Sequence, residues 1–246
     1  MKLISAPGSL EMQAALRSMH VHKIVDFLLQ CLETDLDFFK QVILFLRNNH
    51  KQVSQSTSAS FVQKLQALRD QQNRPDAGGN FPIAAYLDGV FQAIANMYED
   101  EQIKLNFQRG VILELLTWKL VSSHCNRGEC LHNHRFVDDI FFSSLQVDVA
   151  ALIERLRQIE AYTCKINPYM LEEKDCANLI TLSDYAIDKG FSTTLGVVGF
   201  NHTEVAKQKL RTLERIPYEF TASIKAFGPN NMLELKNAPY TYRLHH

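Results

Sequence analysis

The chain has 246 residues, 46% of them hydrophobic and 22% charged, with a formal net charge of −1. That length admits one large domain or two modest ones with a real core, and no apolar run approaches the roughly 20 residues that span a bilayer. The near-zero charge excludes a uniformly basic surface, so affinity for nucleic acid would have to come from a local patch.

The N-terminal segment lacks the unbroken apolar stretch of a secretory signal. The five cysteines are an odd number and widely scattered, so reduced thiols in a cytoplasm are expected rather than a disulfide framework. The first hundred residues read as helices and contain no strand pattern. Residues 10–33 carry Ala15, Met19, Ile24, Phe27 and Leu28 on one apolar stripe. Residues 35–49 repeat the theme with Phe38, Val42, Ile43, Phe45 and Leu46. Shorter helices are expected at 61–69 and 83–98, with polar or Pro/Gly-rich connectors at 50–60 and 71–82. The division that follows is a helical domain over 1–105 and a second domain over 106–246.

From residue 108 the texture changes. RGVILELLTWKLV is apolar almost all round, as a helix buried on most faces must be. Three strand-like segments follow at 135–142, 147–153 and 158–166, joined by the short links SSLQ and ERLR, so antiparallel pairing is expected. A helix at 171–189 ends at Gly190, a natural C-cap. STTLGVVGF, 192–200, reads as a buried strand that returns parallel to an earlier one after the helical crossover. A helix at 203–213, capped by Thr203, and a strand at 232–236 complete the reading. The fold class is α/β, or α+β over the whole chain: a helical region followed by a mixed central sheet flanked by helices.

Three ionisable residues stand in apolar surroundings: Glu114 in the helix VILELLTW, Asp148 in the strand VDVAALI, and Lys165 at the end of QIEAYTCKINP. Such groups cost several kcal/mol unless a charge, a metal or hydrogen bonds satisfy them. Each also has an ordinary explanation. Lys165 could reach to solvent, Asp148 could lie on an exposed hairpin face, and Glu114 could pair with Lys119.

Their order along helix, second strand and third strand resembles the PD-(D/E)XK (restriction-endonuclease-like) nuclease superfamily over residues 108–236. The resemblance implies a restriction-endonuclease-like domain and metal-dependent phosphodiester hydrolysis, of DNA before RNA. It implies that Asp148 binds Mg²⁺ or Mn²⁺, that Glu114 supports the metal, and that Lys165 positions water or offsets charge on phosphate. Thr163 stands where the family has a carboxylate two residues before the Lys, and threonine supplies no charge to a hard cation. Glu160, three positions further back, should face away from Lys165. The rival reading is a nuclease-like module that has lost catalysis and serves as a binding or scaffolding protein. In either case the helical region would bind a partner protein or a second copy of the chain, and no membrane partner is expected.

A second constellation, HCNRGECLHNH, offers Cys125, Cys130, His132 and His134 as candidate zinc ligands after His124. Its C-x4-C, H-x-H spacing matches no standard zinc signature. Asp138 and Asp139 form a weaker acidic pair in the expected first strand.

Overall fold

The structure is a computed structural model and describes residues 2–5, 9–49, 51, 58–72, 84–137 and 146–237. The chain divides into two compact units, Gly8–Leu116 and Met1–Pro7 with Thr117–His246. The division falls inside a helix rather than at residue 105.

The first unit is helical. α1 (Leu10–Arg17) and α2 (Met19–Thr34) break at Ser18, whose extended backbone splits the single helix expected over 10–33. α3 (Leu36–Asn48) starts where the Asp35 carboxylate accepts from the Phe38 N–H at 2.9 Å. α4 (Ser58–Gln72), α5 (Ala84–Glu99) and the first part of α6 (Leu105–Ser122) follow. The apolar stripes meet as aromatic pairs. Phe27 lies edge-on to Phe38 at 6.0 Å and to Phe91 at 6.4 Å, and Phe61 packs against Tyr98 at 4.7 Å. The proposed connectors at 50–60 and 71–82 lie largely outside the described residues.

The other unit is built on a six-stranded sheet in chain order β1-β2-β3-β4-β5-β6. β1 (Lys2–Ser5) pairs antiparallel with β2 (Cys130–Val137), Leu3 opposite Phe136. This corrects the expectation that the first hundred residues hold no strand. Four residues are too few to show a period, and their partner lies far along the chain. β2 also begins earlier than expected, because its polar alternation, CLHNHRFV, hides it from a hydrophobic reading. Residues 138–145, including Asp138 and Asp139, lie outside the described residues.

β3 (Gln146–Ile153) and β4 (Gln158–Lys165) are antiparallel neighbours, Ala150 opposite Ala161, as the short link required. The link is a 3₁₀ turn, Glu154–Leu156, closed by Arg157 at φ 48°. α7 (Glu173–Asp188) then crosses over to β5 (Ser192–Gly199), which runs parallel to β4. Gly190, at φ +74°, makes the left-handed turn out of α7. α8 (Thr203–Arg211) and the one-turn α9 (Tyr218–Thr221) lead to β6 (Ile224–Phe227), parallel to β5.

Two details of the tail differ from the sequence reading. Met232–Lys236 is a 3₁₀ helix rather than a strand, and it buries Met232 and Leu235. A spacing of three is what that helix places on one side. The N-cap of α8 is His202, with Thr203 inside the helix donating its hydroxyl to Asn231 Oδ1 at 2.9 Å.

One face of the sheet packs its core against α7. Ala150, Leu152, Ile159, Ala161, Leu195 and Val197 meet Leu179, Leu182 and Ala186. Each fully buried Leu, Ile or Val side chain of that set contributes roughly 1.5–3 kcal/mol, and each Ala less. On the other face Tyr162 and Phe227 pack edge-on at 5.9 Å over Gly196, where a Cβ would stand 2.6 Å from the Tyr162 ring. That spot admits only glycine.

Candidate active site

Alternation along β4 puts Thr163 and Lys165 on the α7 face, with Glu160 and Tyr162 on the opposite one. Val149 pairs with Tyr162, and continuing that register sets Asp148 across from Thr163. The contact is direct. Asp148 Oδ2 accepts the Thr163 hydroxyl at 3.0 Å and the Cys164 backbone N–H at 2.6 Å. Burial pushes the Asp148 carboxyl above its ordinary range. The Cys164 N–H, Lys165 and the Thr163 hydroxyl pull it back in part, and Asp175 adds to the rise.

Lys165 does not go to solvent. Its Nζ lies 2.9 Å from Asp175 Oδ2, with the two side chains 23% and 13% exposed. Asp175 is the third residue of α7, and the same oxygen accepts the Glu172 backbone N–H at 2.9 Å, closing a capping box. The turn Pro168–Met170, capped by Asn167, brings the chain round from the end of β4 to this helix start. Asp148, Thr163, Lys165 and Asp175 thus meet at one end of the β3–β4 pair, on three elements.

Sequence reasoning named all of these but Asp175. The signal for it was present: Glu172 and Asp175 stand at capping-box spacing directly after the strand that ends in Lys165. Glu114 is buried on α6, 6% exposed, in the helical unit.

The opposite face holds a different charged group. Glu160 is fully buried and accepts from Tyr162 OH at 2.8 Å and Gln158 Nε2 at 3.0 Å. It is also 2.9 Å from His124 Nε2. The other ring nitrogen of His124 faces the Lys236 carbonyl at 3.3 Å. Both partners are acceptors, so both nitrogens carry hydrogens and the ring is an imidazolium. Burial opposes that charge, but hydrogen bonds to Cys125 and Glu160 outweigh it and hold the His124 pKa at about 10.

The zinc candidates are spoken for in other ways. Cys125 hydrogen-bonds with Cys130, and that bond together with burial raises its thiol pKa. Its Sγ also lies 3.4 Å from the Val121 carbonyl. The His132 ring stands edge-on to Trp118 at 5.4 Å. His134 pairs by its backbone with Val147, and its side chain lies outside the described residues. Among the described residues no three of His, Cys, Asp and Glu are grouped so as to hold a metal ion. Nor, among them, is any helix long and apolar enough to cross a membrane.

No family model matches the chain, and no curated protein matches it.

Proposed function

We propose that the unit containing the sheet is a PD-(D/E)XK-like phosphodiesterase domain that hydrolyses nucleic acid, DNA in preference to RNA, with Mg²⁺ or Mn²⁺. The observation that carries the reading is the meeting of Asp148, Lys165 and Asp175 at one end of β3 and β4. The order helix, three antiparallel strands, crossover helix and parallel strand supports it.

The donor set fits a hard cation. Mg²⁺ is commonly held by one or two carboxylates, with waters and substrate phosphates completing its shell, and Asp148 and Asp175 are two carboxylates within electrostatic reach of each other. Asp175 thereby stands in for the carboxylate that Thr163 lacks. When bound, the metal would polarise the scissile phosphate and lower the pKa of its water.

The chain's own residues do the rest. Thr163 and the Cys164 N–H fix the orientation of Asp148. Lys165, shared with Asp175, keeps further ammonium donors for a phosphate oxygen or an attacking water. The helical unit would recognise a partner protein or a second copy of the chain.

One observation favours a second reading, a non-catalytic binding or scaffolding module. The Lys165–Asp175 ion pair and the Thr163–Asp148 bond already satisfy these groups internally. A cleavage assay on duplex DNA and on RNA, with Mg²⁺ or Mn²⁺ and with EDTA, separates the two. Catalysis predicts metal-dependent cleavage that falls at least ~100-fold in Asp148→Asn and is strongly impaired in Lys165→Ala. A wild type inert with either metal establishes the binding module instead, and cleavage undiminished by both substitutions removes the site assignment.

A further inference from the structure

A concave site that shares no residue with the Asp148–Lys165 group lies where α8, α9 and β6 line a cleft of about 390 Å³. This is within the range of small-ligand pockets. Thr203, Lys207 and Arg211 recur every four residues, so α8 presents them to the cleft as one stripe. Lys225 lines it from β6 and Tyr218 from α9.

The charge is unbalanced. The lining holds three cations against one carboxylate, Glu234. Lys207 shares its charge with Glu204 at 2.8 Å and Arg211 acts on the same carboxylate from further off, but among the described residues Lys225 has no ion-pair partner. On a chain of net charge −1 such a local excess is not a property of the whole surface. The floor is held in place, since Asn231 bonds the Thr203 hydroxyl, the Gly228 N–H and the Ala226 carbonyl. Tyr218 is 61% exposed, an aromatic face open to stacking.

We propose that this cleft binds a nucleoside phosphate, its phosphates against Lys207, Arg211 and Lys225 and its base against Tyr218. Arginine and lysine suit the phosphate oxygens, as a planar fork and as a point charge. A base stacks on a tyrosine ring without regard to its identity. The same chemistry belongs to a free nucleotide and to the 5′-phosphorylated end of a strand.

Calorimetric titration in EDTA with ADP, with adenosine and with a 5′-phosphorylated oligothymidylate tests this independently of any metal-dependent cleavage. ADP or the phosphorylated strand should bind saturably, adenosine at least tenfold more weakly, and affinity should fall as salt rises. Arg211→Gln and Lys225→Gln, at exposed positions that leave the circular dichroism unchanged, should each weaken binding roughly tenfold, and Tyr218→Ala severalfold. Tighter binding of ADP identifies the free nucleotide, and tighter binding of the oligonucleotide identifies the strand end. Absence of binding by both phosphorylated probes at millimolar concentration overturns the assignment. So does affinity that the Arg211→Gln, Lys225→Gln double variant leaves intact.

Discussion

The two faces of β4 carry two buried charge groups built on opposite plans. On one, Glu160 is sealed from solvent and its oxygens are taken by His124, Gln158 and Tyr162. On the other, Asp148 and Lys165 are held by fewer partners, and Lys165 and Asp175 keep part of their surface in water. A buried ionised group is therefore not by itself a sign of chemistry. The Glu160 group ties the 3₁₀ segment at Lys236 and the end of α6 to the sheet, and no substrate can reach it. In the Asp148 group the carboxyl of Asp148 is buried, while Lys165 and Asp175 stay partly exposed, so only these two present charge to solvent.

The largest effect that distinguishes the faces should be on stability. Glu160→Ala leaves a buried imidazolium and a buried phenol without their acceptor, and should cost ~3–5 kcal/mol in urea denaturation. The pH dependence gives a sharper view of the same group. The folded pKa of His124, about 10, lies above its unfolded value of roughly 6.5. Its stabilisation is therefore fully present below pH ~6.5 and is lost as pH rises towards 10. Cys125 and Tyr162 are also raised, and add losses in the same direction only above their unfolded values of roughly 8.5 and 10. Between pH 6.5 and 8.5 the slope of stability belongs to His124 among these groups, and Glu160→Ala should flatten it. An unchanged slope would mean that the ring is neutral in the fold.

Asp148 should behave in the reverse sense at smaller magnitude. Burial raises its carboxyl, so ionising it works against the fold. Its contribution is most favourable below the unfolded value of roughly 3.9 and declines as pH rises past it. Asp148→Asn keeps an oxygen for the Thr163 hydroxyl and the Cys164 N–H while removing the charge, and should hold or raise the Tm at pH 7. Asp148→Ala removes that acceptor and should cost ~1–3 kcal/mol. A Tm that drops equally in both variants would show that the ionised form stabilises the fold, and would erase the contrast between the faces.

The sheet was legible where period and length agreed. β3, β4, the α7 crossover and β5 follow from apolar runs, short links and one glycine. β1 and β6 were not legible, since strands of four residues have no period and depend on partners remote in sequence. The polar β2 was only half visible. At the candidate site, alternation along β4 placed Lys165 with Thr163 and turned Glu160 away, as the structure has it. Asp175 escaped because a carboxylate in the first turn of a helix reads as a cap, and only the fold shows that the same oxygen also holds Lys165. The His124–Glu160 pair joins a loop to a strand 36 positions away, which no local pattern encodes.

Thr163→Glu is the finest test of how the two faces differ, because it adds charge beside Asp148 alone. Thr163 stands across from Asp148 and donates to it at 3.0 Å. Glutamate there removes the donor and sets a second carboxylate beside the first. In EDTA that repulsion, together with the lost hydrogen bond, should lower stability by ~1–2 kcal/mol. A divalent cation should reverse the penalty, because two adjacent carboxylates are what a hard metal binds. Calorimetric titration with Mn²⁺ should then show roughly tenfold tighter binding than wild type, worth ~1.4 kcal/mol, and Mn²⁺ should restore the lost Tm. Thr163→Val removes the donor without adding charge, so it should lose ~1 kcal/mol and gain no metal affinity. If Thr163→Glu binds Mn²⁺ no better than Thr163→Val, Asp148 is not poised to hold a metal, and its group is a structural charge cluster rather than a catalytic one.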